Sequence, residues 1–210
     1  MKISVIGMGN VGGTLGTRWA SMNHDVVFGV REPTSPKVKS LLKLTENRAR
    51  AASVPDAVAS SDVVVLATPW GAVRDAIAVA GDLRGKVLVD CTNPIAENLT
   101  GLAVGTTTSA GEQIARWAPG ARVVKAFNTT GSSNMANPRY KEGNVTMFIC
   151  GDDAEAKATV STLAEALGFD VCDSGPLRVA RYLEPLAMAW IQLAYAQGLG
   201  RDIAFRLIRR

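Results

Sequence analysis

"KISVIGMGNVGGTLG", Lys2 to Gly16, is the stretch on which the fold turns. A short β-branched run ends at Gly7, and glycine returns at Gly9 and Gly12, giving GxGxxG. The run predicts a buried strand, and "VGGTLGTRWASM" (Val11 to Met22) predicts the helix that follows. The glycine pattern alone is weak evidence. A strand before it and a helix after it, inside a βαβ unit of about 30 residues, make it a dinucleotide-binding fingerprint. Gly7 would make the tight turn, Gly9 would let backbone approach a pyrophosphate, and Gly12 would let the helix lie close on the strand. The unpaired N–H groups and the positive end of the helix would then face the phosphates.

The next strand, "HDVVFGV" (His24 to Val30), ends without a carboxylate. An NAD site places Asp or Glu there to accept bonds from the ribose 2′-hydroxyl, a group that would repel a 2′-phosphate. Here Arg31 follows uncharged Gly29 and Val30. A guanidinium can lie against adenine and hold a phosphate in a fork. Thr34, Ser35, Lys37 and Lys39 stand close in sequence as further donors. Glu32 is the counter-signal, because a carboxylate turned inward would favour NAD. NADP is the favoured expectation.

Outward from this unit, strands and helices alternate. "DVVVLATP" (Asp62 to Pro69), "KVLVDCTNP" (Lys86 to Pro94) and "ARVVKAFNTT" (Ala121 to Thr130) read as buried strands, the first two stopped by proline. "SAGEQIARWAPG" reads as a helix with Ser109 as N-cap and Glu112 at capping-box spacing. Ile95 to Thr108 and Gly131 to Asn144 read as loops. "VTMFICGD", "DAEAKATVSTLAEALG" and "FDVCDSG" continue the alternation, and Leu177 to Gly198 reads as an apolar helix started or kinked by Pro185. Continuous apolar strands alternating with helices imply a parallel sheet covered on both faces. The expected class is α/β, a Rossmann-type doubly wound, mainly parallel sheet with a small C-terminal α/β extension. Residues 1–130 would form the dinucleotide-binding domain. Residues 131–210 would line the site of a second cofactor or substrate and carry a dimer contact.

Bulk properties narrow the function. The 210 residues carry a formal charge of +4 with no basic stripe, so no nucleic-acid partner is expected. "RLIRR" at the end reads as a solvated tail. Cys91, Cys150 and Cys172 form no CxxC pair and read as small buried hydrophobes, as in a reducing cytoplasm. His24 is the single histidine, which argues against a zinc site. No signal peptide is expected before the strand that starts at Lys2. The apolar run Leu186 to Ala196 is too short for the roughly 20 residues that cross a bilayer.

In open α/β sheets the ligand lies beyond the carboxyl ends of the strands. Three such ends are distinctive: Thr68-Pro69-Trp70, Thr92-Asn93-Pro94, and Lys125 to Thr129. Trp70 would pack against a ring or plug an apolar gap. Lys125 would make an ion pair. No Ser-His-Asp set, Cys-His pair or metal cluster appears. A hydride transfer between two cofactors needs no protein acid or base, because the rings carry the chemistry and the protein holds them face to face.

"ISVIGMGNVGGTLGTRWA", "FGVR", "DVVVLATPW", "VLVDCTNP", "VVKAFNT" and "LEPLAMAW" occur in an order that resembles the NADP-dependent oxidoreductases related to coenzyme F-420:NADP reductase. Their domain recurs in STEAP-type metalloreductases. The resemblance spans nearly the whole chain, with "VVKAFNT" and the "LEPLA" helix its more specific parts. It implies NADPH on the glycine loop, its 2′-phosphate on Arg31 and neighbours, and a deazaflavin or flavin (FMN or FAD) stacked on the nicotinamide. Carried over, Gly7, Gly9, Asn10, Val11 and Gly12 hold pyrophosphate, while Thr68, Pro69, Trp70, Asn93 and Asn128 frame ribose and nicotinamide. Met8, Ser35, Lys37, Ala67 and Ala126 complete the candidate cofactor-binding set. The helix around Leu183 to Trp190 would border the second ring. Val30 stands where the family usually has serine, which removes one phosphate donor.

The expected function is therefore hydride transfer between NADPH and a deazaflavin or flavin, by a cytoplasmic homodimer with a small-molecule or flavin-type acceptor and no membrane part. Two rivals stay open. One is a non-catalytic NADP-binding redox sensor. The other is a reductase of a small imine or carbonyl, which needs a proton donor; Lys125 and Tyr182 are the nearest residues to try.

Overall fold

The apolar runs each become one strand, and the side chains along each run alternate between the two faces of one sheet. Ile3 and Val5 of strand β1 (Lys2–Ile6) enter the same core cluster as Val63 and Val65 of β4 (Val63–Leu66), and as Val87 and Val89 of β5 (Val87–Asp90). Ile6, Val64, Leu66 and Leu88 enter the cluster on the other face. A strand buried on both sides has no polar face, so periodicity gives way to continuous hydrophobicity.

The chain is described by a computed structural model covering residues 1–210, the side chain of Asn98 excepted. The remaining strands of the main sheet are β2 (Asp25–Gly29), β3 (Ala49–Ala52), β6 (Arg122–Lys125), β9 (Thr146–Gly151) and β10 (Asp170–Asp173). The eight strands lie in the order β10-β9-β6-β5-β4-β1-β2-β3. From β3 to β6 this is the doubly wound order 3-2-1-4-5-6, with every ladder parallel. The order reverses between β1 and β4. A crevice opens at such a switch point, and the glycine loop leaves β1 there. The sheet continues past residue 130 into β9, which runs antiparallel to β6, and β10, which runs parallel to β9.

Helices cover both faces. Helix α1 (Asn10–Ser21) and α7 (Ala154–Leu167) cover one face, where Trp19 donates its indole N–H to the Leu163 carbonyl at 3.2 Å. The Trp19, Phe127 and Phe169 rings stand edge to face, with centroids 5.7 and 6.2 Å apart. Helices α3 (Val54–Ala59), α4 (Val73–Ala80) and α5 (Ala110–Trp117) bury Val58, Val73, Ile77 and Ile114 on the other face. Helix α2 (Pro36–Leu44) starts where Ser35 Oγ accepts the Val38 N–H. Among the described residues, no helix is long and apolar enough to cross a membrane.

Three segments differ from expectation. Gly131 to Asn144 is not plain loop. It holds α6 (Ser132–Ala136) and a two-stranded hairpin, β7 (Arg139–Tyr140) and β8 (Gly143–Asn144). Its order comes from a polar hub that apolar periodicity does not report. The Asn134 amide donates to Thr130 Oγ1 and to the Ile203 carbonyl, and Tyr140 donates to Asn134 Oδ1. The C-terminal helix α8 (Ala180–Ile191) runs through Pro185, which therefore does not start it, and passes into a π-helical turn over Gln192–Ala196. The tail is only partly solvated. Phe205 and Leu207 exchange hydrogen bonds with Thr146, and the Arg206 guanidinium reaches the Glu142 carbonyl. Cys172 is half-buried rather than buried, because β10 ends the sheet.

Candidate functional site

The glycine loop is tightened by contacts that only hydrogen side chains allow. At Gly7, φ is +99°, and an added Cβ would lie 2.6 Å from the Ala67 carbonyl oxygen. At Gly12 it would lie 2.0 Å from the Gly7 carbonyl oxygen. Gly9 faces open space instead. It caps α1 without a side-chain hydrogen bond, and the first turn of α1 carries no carboxylate. The N–H groups there keep their positive potential for an external anion.

Two hollows meet at this loop. The larger, of about 680 Å³, runs from Gly7 and Met8 past the end of β2 to Arg31, Glu32, Ser35 and Lys37. Thr68 lies on its floor, and α4 forms its other wall. The smaller, of about 350 Å³, lies on the far side of the loop. It is lined by Asn10, Val11, Asn93, Asn128, Trp190 and Tyr195, among others. The structure thus brings most of the expected residues to one continuous rim. Gly9 and Gly12 line neither hollow, and the Ala67 carbonyl lies against the Gly7 turn. Ala126 is fully buried beneath the rim and offers only backbone. Pro69 caps a 3₁₀ turn over Trp70–Ala72, and Trp70 stacks on Trp117 at 5.5 Å, directed into the α4–α5 face.

The rim keeps polar atoms free. Thr68 Oγ1 and Asn128 Oδ1 are buried without a hydrogen-bond partner. A buried orphan of this kind costs about 1–3 kcal/mol unless something satisfies it. Asn93 and Asn128 hold each other: Asn93 Nδ2 donates to the Asn128 carbonyl at 2.9 Å, and Asn128 Nδ2 donates to Asn93 Oδ1 at 3.1 Å. Asn128 Nδ2 also reaches the Leu183 carbonyl of α8 at 3.2 Å. Phe127, one residue earlier, has φ +60°. That conformation is uncommon for a bulky residue, and the packed Phe127 ring holds it.

Beneath the rim lies a cluster that residue patterns do not reveal. Lys125 is fully buried, with Nζ 2.6 Å from Asp90 Oδ2, 2.9 Å from Glu184 Oε1 and 2.8 Å from the Thr92 carbonyl. Burial alone would lower the lysine pKa, but Asp90 and Glu184 outweigh it and hold Lys125 protonated, above its usual range. Glu184 also accepts the Ala110 and Gly111 N–H groups, so its carboxylate is met by the N-terminus of α5 as well as by Lys125. Nearby, burial pushes the Cys150 thiol up to about 12. The capping box of α5 forms as expected, with Ser109 Oγ accepting the Glu112 N–H, and Glu112 binds Arg181 of α8 at 2.7 Å. Lys125 is therefore a structural cation, and Tyr182 is largely exposed, outside both hollows. His24 lies beside the N-terminal amine, where burial lowers its pKa.

Unforeseen in the sequence are the α4 wall, formed by Ala72, Asp75, Ala76 and Val79, and the π-helical Tyr195. The 72/75/76/79 spacing is a second helical face beside the core face Val73, Ile77 and Ala80, and it was open to detection.

The family described as NADP oxidoreductase coenzyme F420-dependent matches residues 2–94. The F420-dependent NADP reductase of Methanothermobacter thermautotrophicus is 32% identical over 207 residues, covering 92% of this chain and 89% of that protein. The chain belongs to this oxidoreductase family. Metalloreductase STEAP3 of Rattus norvegicus is 34% identical over 188 residues. There the oxidoreductase matches over 89% of its length but spans only 36% of the relative. A solved structure from Arthrobacter sp. FB24, described as a candidate F420-dependent NADP reductase, superposes with a TM-score of 0.91. It has 37% identity and complete coverage of both chains. The oxidoreductase is thus an NADP-dependent enzyme with a Rossmann-type sheet.

Proposed function

We propose that the oxidoreductase passes hydride between NADP(H) and a deazaflavin or flavin acceptor. The observation that carries this is the meeting of two hollows at one glycine loop. One is basic at its outer end, and the other is walled by amides and aromatic rings. Arg31 and Lys37 would hold the 2′-phosphate, with Ser35 beside them, where β2 ends in Gly29 and Val30 follows rather than a carboxylate. Gly7, Met8, Gly9, Asn10, Val11 and Gly12 would receive the pyrophosphate on the free N–H groups of α1. Thr68 Oγ1 and Asn128 Oδ1, orphaned and buried, fit a ribose hydroxyl and a carboxamide N–H. Ala67, Pro69, Asn93 and Ala126 shape the strand ends around them. Trp70 stacks on Trp117 instead and lines neither hollow.

When bound, NADPH supplies the hydride, and the second ring accepts it. The chain's own part is to hold the rings in register. The Asn93–Asn128 pair anchors one side, tied to α8 through Leu183. Trp190 and Tyr195 would border the acceptor. In this division residues 1–130 hold the dinucleotide and residues 131–210 complete the acceptor side, in a homodimer.

Stopped-flow absorbance with NADPH and a deazaflavin, FMN or FAD tests the acceptor. Turnover with one of them is expected, and none with any would remove the proposal. Arg31→Ala tests the phosphate contact. Losing a charged hydrogen bond should cost on the order of 1.5–3 kcal/mol of NADPH binding and almost none of NADH binding. Equal losses for both would show that Arg31 does not read the phosphate. Sedimentation velocity tests the dimer.

A further inference from the structure

The larger hollow is lined by a carboxylate, Asp75, as well as by Arg31. Asp75 lies in the first turn of α4, and the face it shares with Ala72, Ala76 and Val79 lines the hollow. The opposite face of α4 is spent on the core, and the neighbouring Arg74 guanidinium lies over the Trp117 ring, 6.0 Å from its centroid. No ion pair engages the Asp75 carboxylate among the described residues. Its position in the first turn of α4 suits the helix dipole.

The α4 wall is therefore three small apolar residues and one acceptor, in a hollow that Arg31 also lines. A flat ring inserted there would meet apolar side chains on one face and Arg31 on the other. Its edge would meet a carboxylate that can only accept hydrogen bonds. Adenine carries a donating amino group at carbon 6, whereas hypoxanthine carries an accepting carbonyl there. Glu32 also lines the hollow but adjoins Arg31, at the phosphate end. We infer that Asp75 selects the adenine base by accepting a hydrogen bond from its 6-amino group. This rests on the NADP site proposed above and adds to it the part of the wall that reads the base.

The test is calorimetric titration of the intact protein with NADP⁺ and with nicotinamide hypoxanthine dinucleotide phosphate, which keeps both phosphates and the nicotinamide. The wild type should bind NADP⁺ roughly tenfold more tightly, as expected for one hydrogen bond to a charged acceptor. In Asp75→Asn the new amide can donate to the carbonyl of hypoxanthine, so the ratio should fall to about one or reverse. Glu32→Gln should leave it unchanged. Equal affinities in the wild type, an unaltered ratio in Asp75→Asn, or a ratio moved by Glu32→Gln instead would each overturn the assignment while NADP⁺ still binds. Failure of both dinucleotides to bind the wild type would overturn it together with the site on which it rests.

Discussion

Lys125 shows how far a single residue reaches in this molecule. Its ammonium joins the end of β5, through Asp90, to α8 and the start of α5, through Glu184. Replacing it with methionine keeps the volume roughly constant but leaves two buried carboxylates without their cation. Removing one partner of a buried ion set typically costs about 3–5 kcal/mol. Urea unfolding of Lys125→Met should show a loss of that size. The pH dependence has a definite sign. A lysine whose folded pKa is raised contributes stability that is complete below its ordinary value of 10.5 and lost only as pH climbs through the folded value. In the wild type this contribution should be flat through neutrality and fall only in strong alkali; a decline beginning near pH 8 would contradict the assignment. The place of Arg31 at the larger hollow is legible at this same scale, since its charge and its position after β2 are local facts. The Lys125 cluster is not, because Glu184 reaches α5 across more than 70 residues and nothing local announces the contact.

Among elements, the turn from β1 into α1 separates folding from binding. Gly12→Ala would drive a methyl group against backbone, at 2.0 Å from the Gly7 carbonyl oxygen. Overpacking of this kind costs about 1–3 kcal/mol or more. Gly9→Ala meets nothing within 4 Å and keeps an extended backbone that alanine tolerates, so it should cost under about 1 kcal/mol. If pyrophosphate lies over Gly9, that second variant should lose NADP⁺ affinity at least as strongly as the first while unfolding near the wild-type temperature. Paired calorimetric melts and titrations separate the two effects. Elements with continuous apolar runs, such as Val63 to Leu66, announce themselves in sequence because both their faces are covered. The α6 segment and the β7–β8 hairpin do not. Asn134, not an apolar stripe, organises them through Thr130, Tyr140 and Ile203.

At the scale of the whole molecule, the doubly wound order places the ends of β1, β4, β5 and β6 along one rim, and this follows from the alternation of strands and helices. Both hollows open on that rim, so a dinucleotide laid across it would bind only the folded chain. At one hundred times its dissociation constant, NADP⁺ should add about 2.7 kcal/mol of stability and raise the melting temperature by roughly 5–10 °C. NAD⁺ at the same concentration should raise it less, and an equal rise would argue against phosphate recognition. The second hollow is the least legible part in advance, because Asn10, Asn93, Asn128 and Tyr195 meet only once α8 is seated. The reversed direction of β9 has a practical side. Its carboxyl end turns out beside the start of β6, where Arg122 meets Asp153 and Glu155, on the rim opposite the glycine turn. A fluorescent label on the outward-pointing Glu155 position would sit a full sheet's depth from any coenzyme. It could report unfolding without quenching by, or interference with, whatever occupies the other edge.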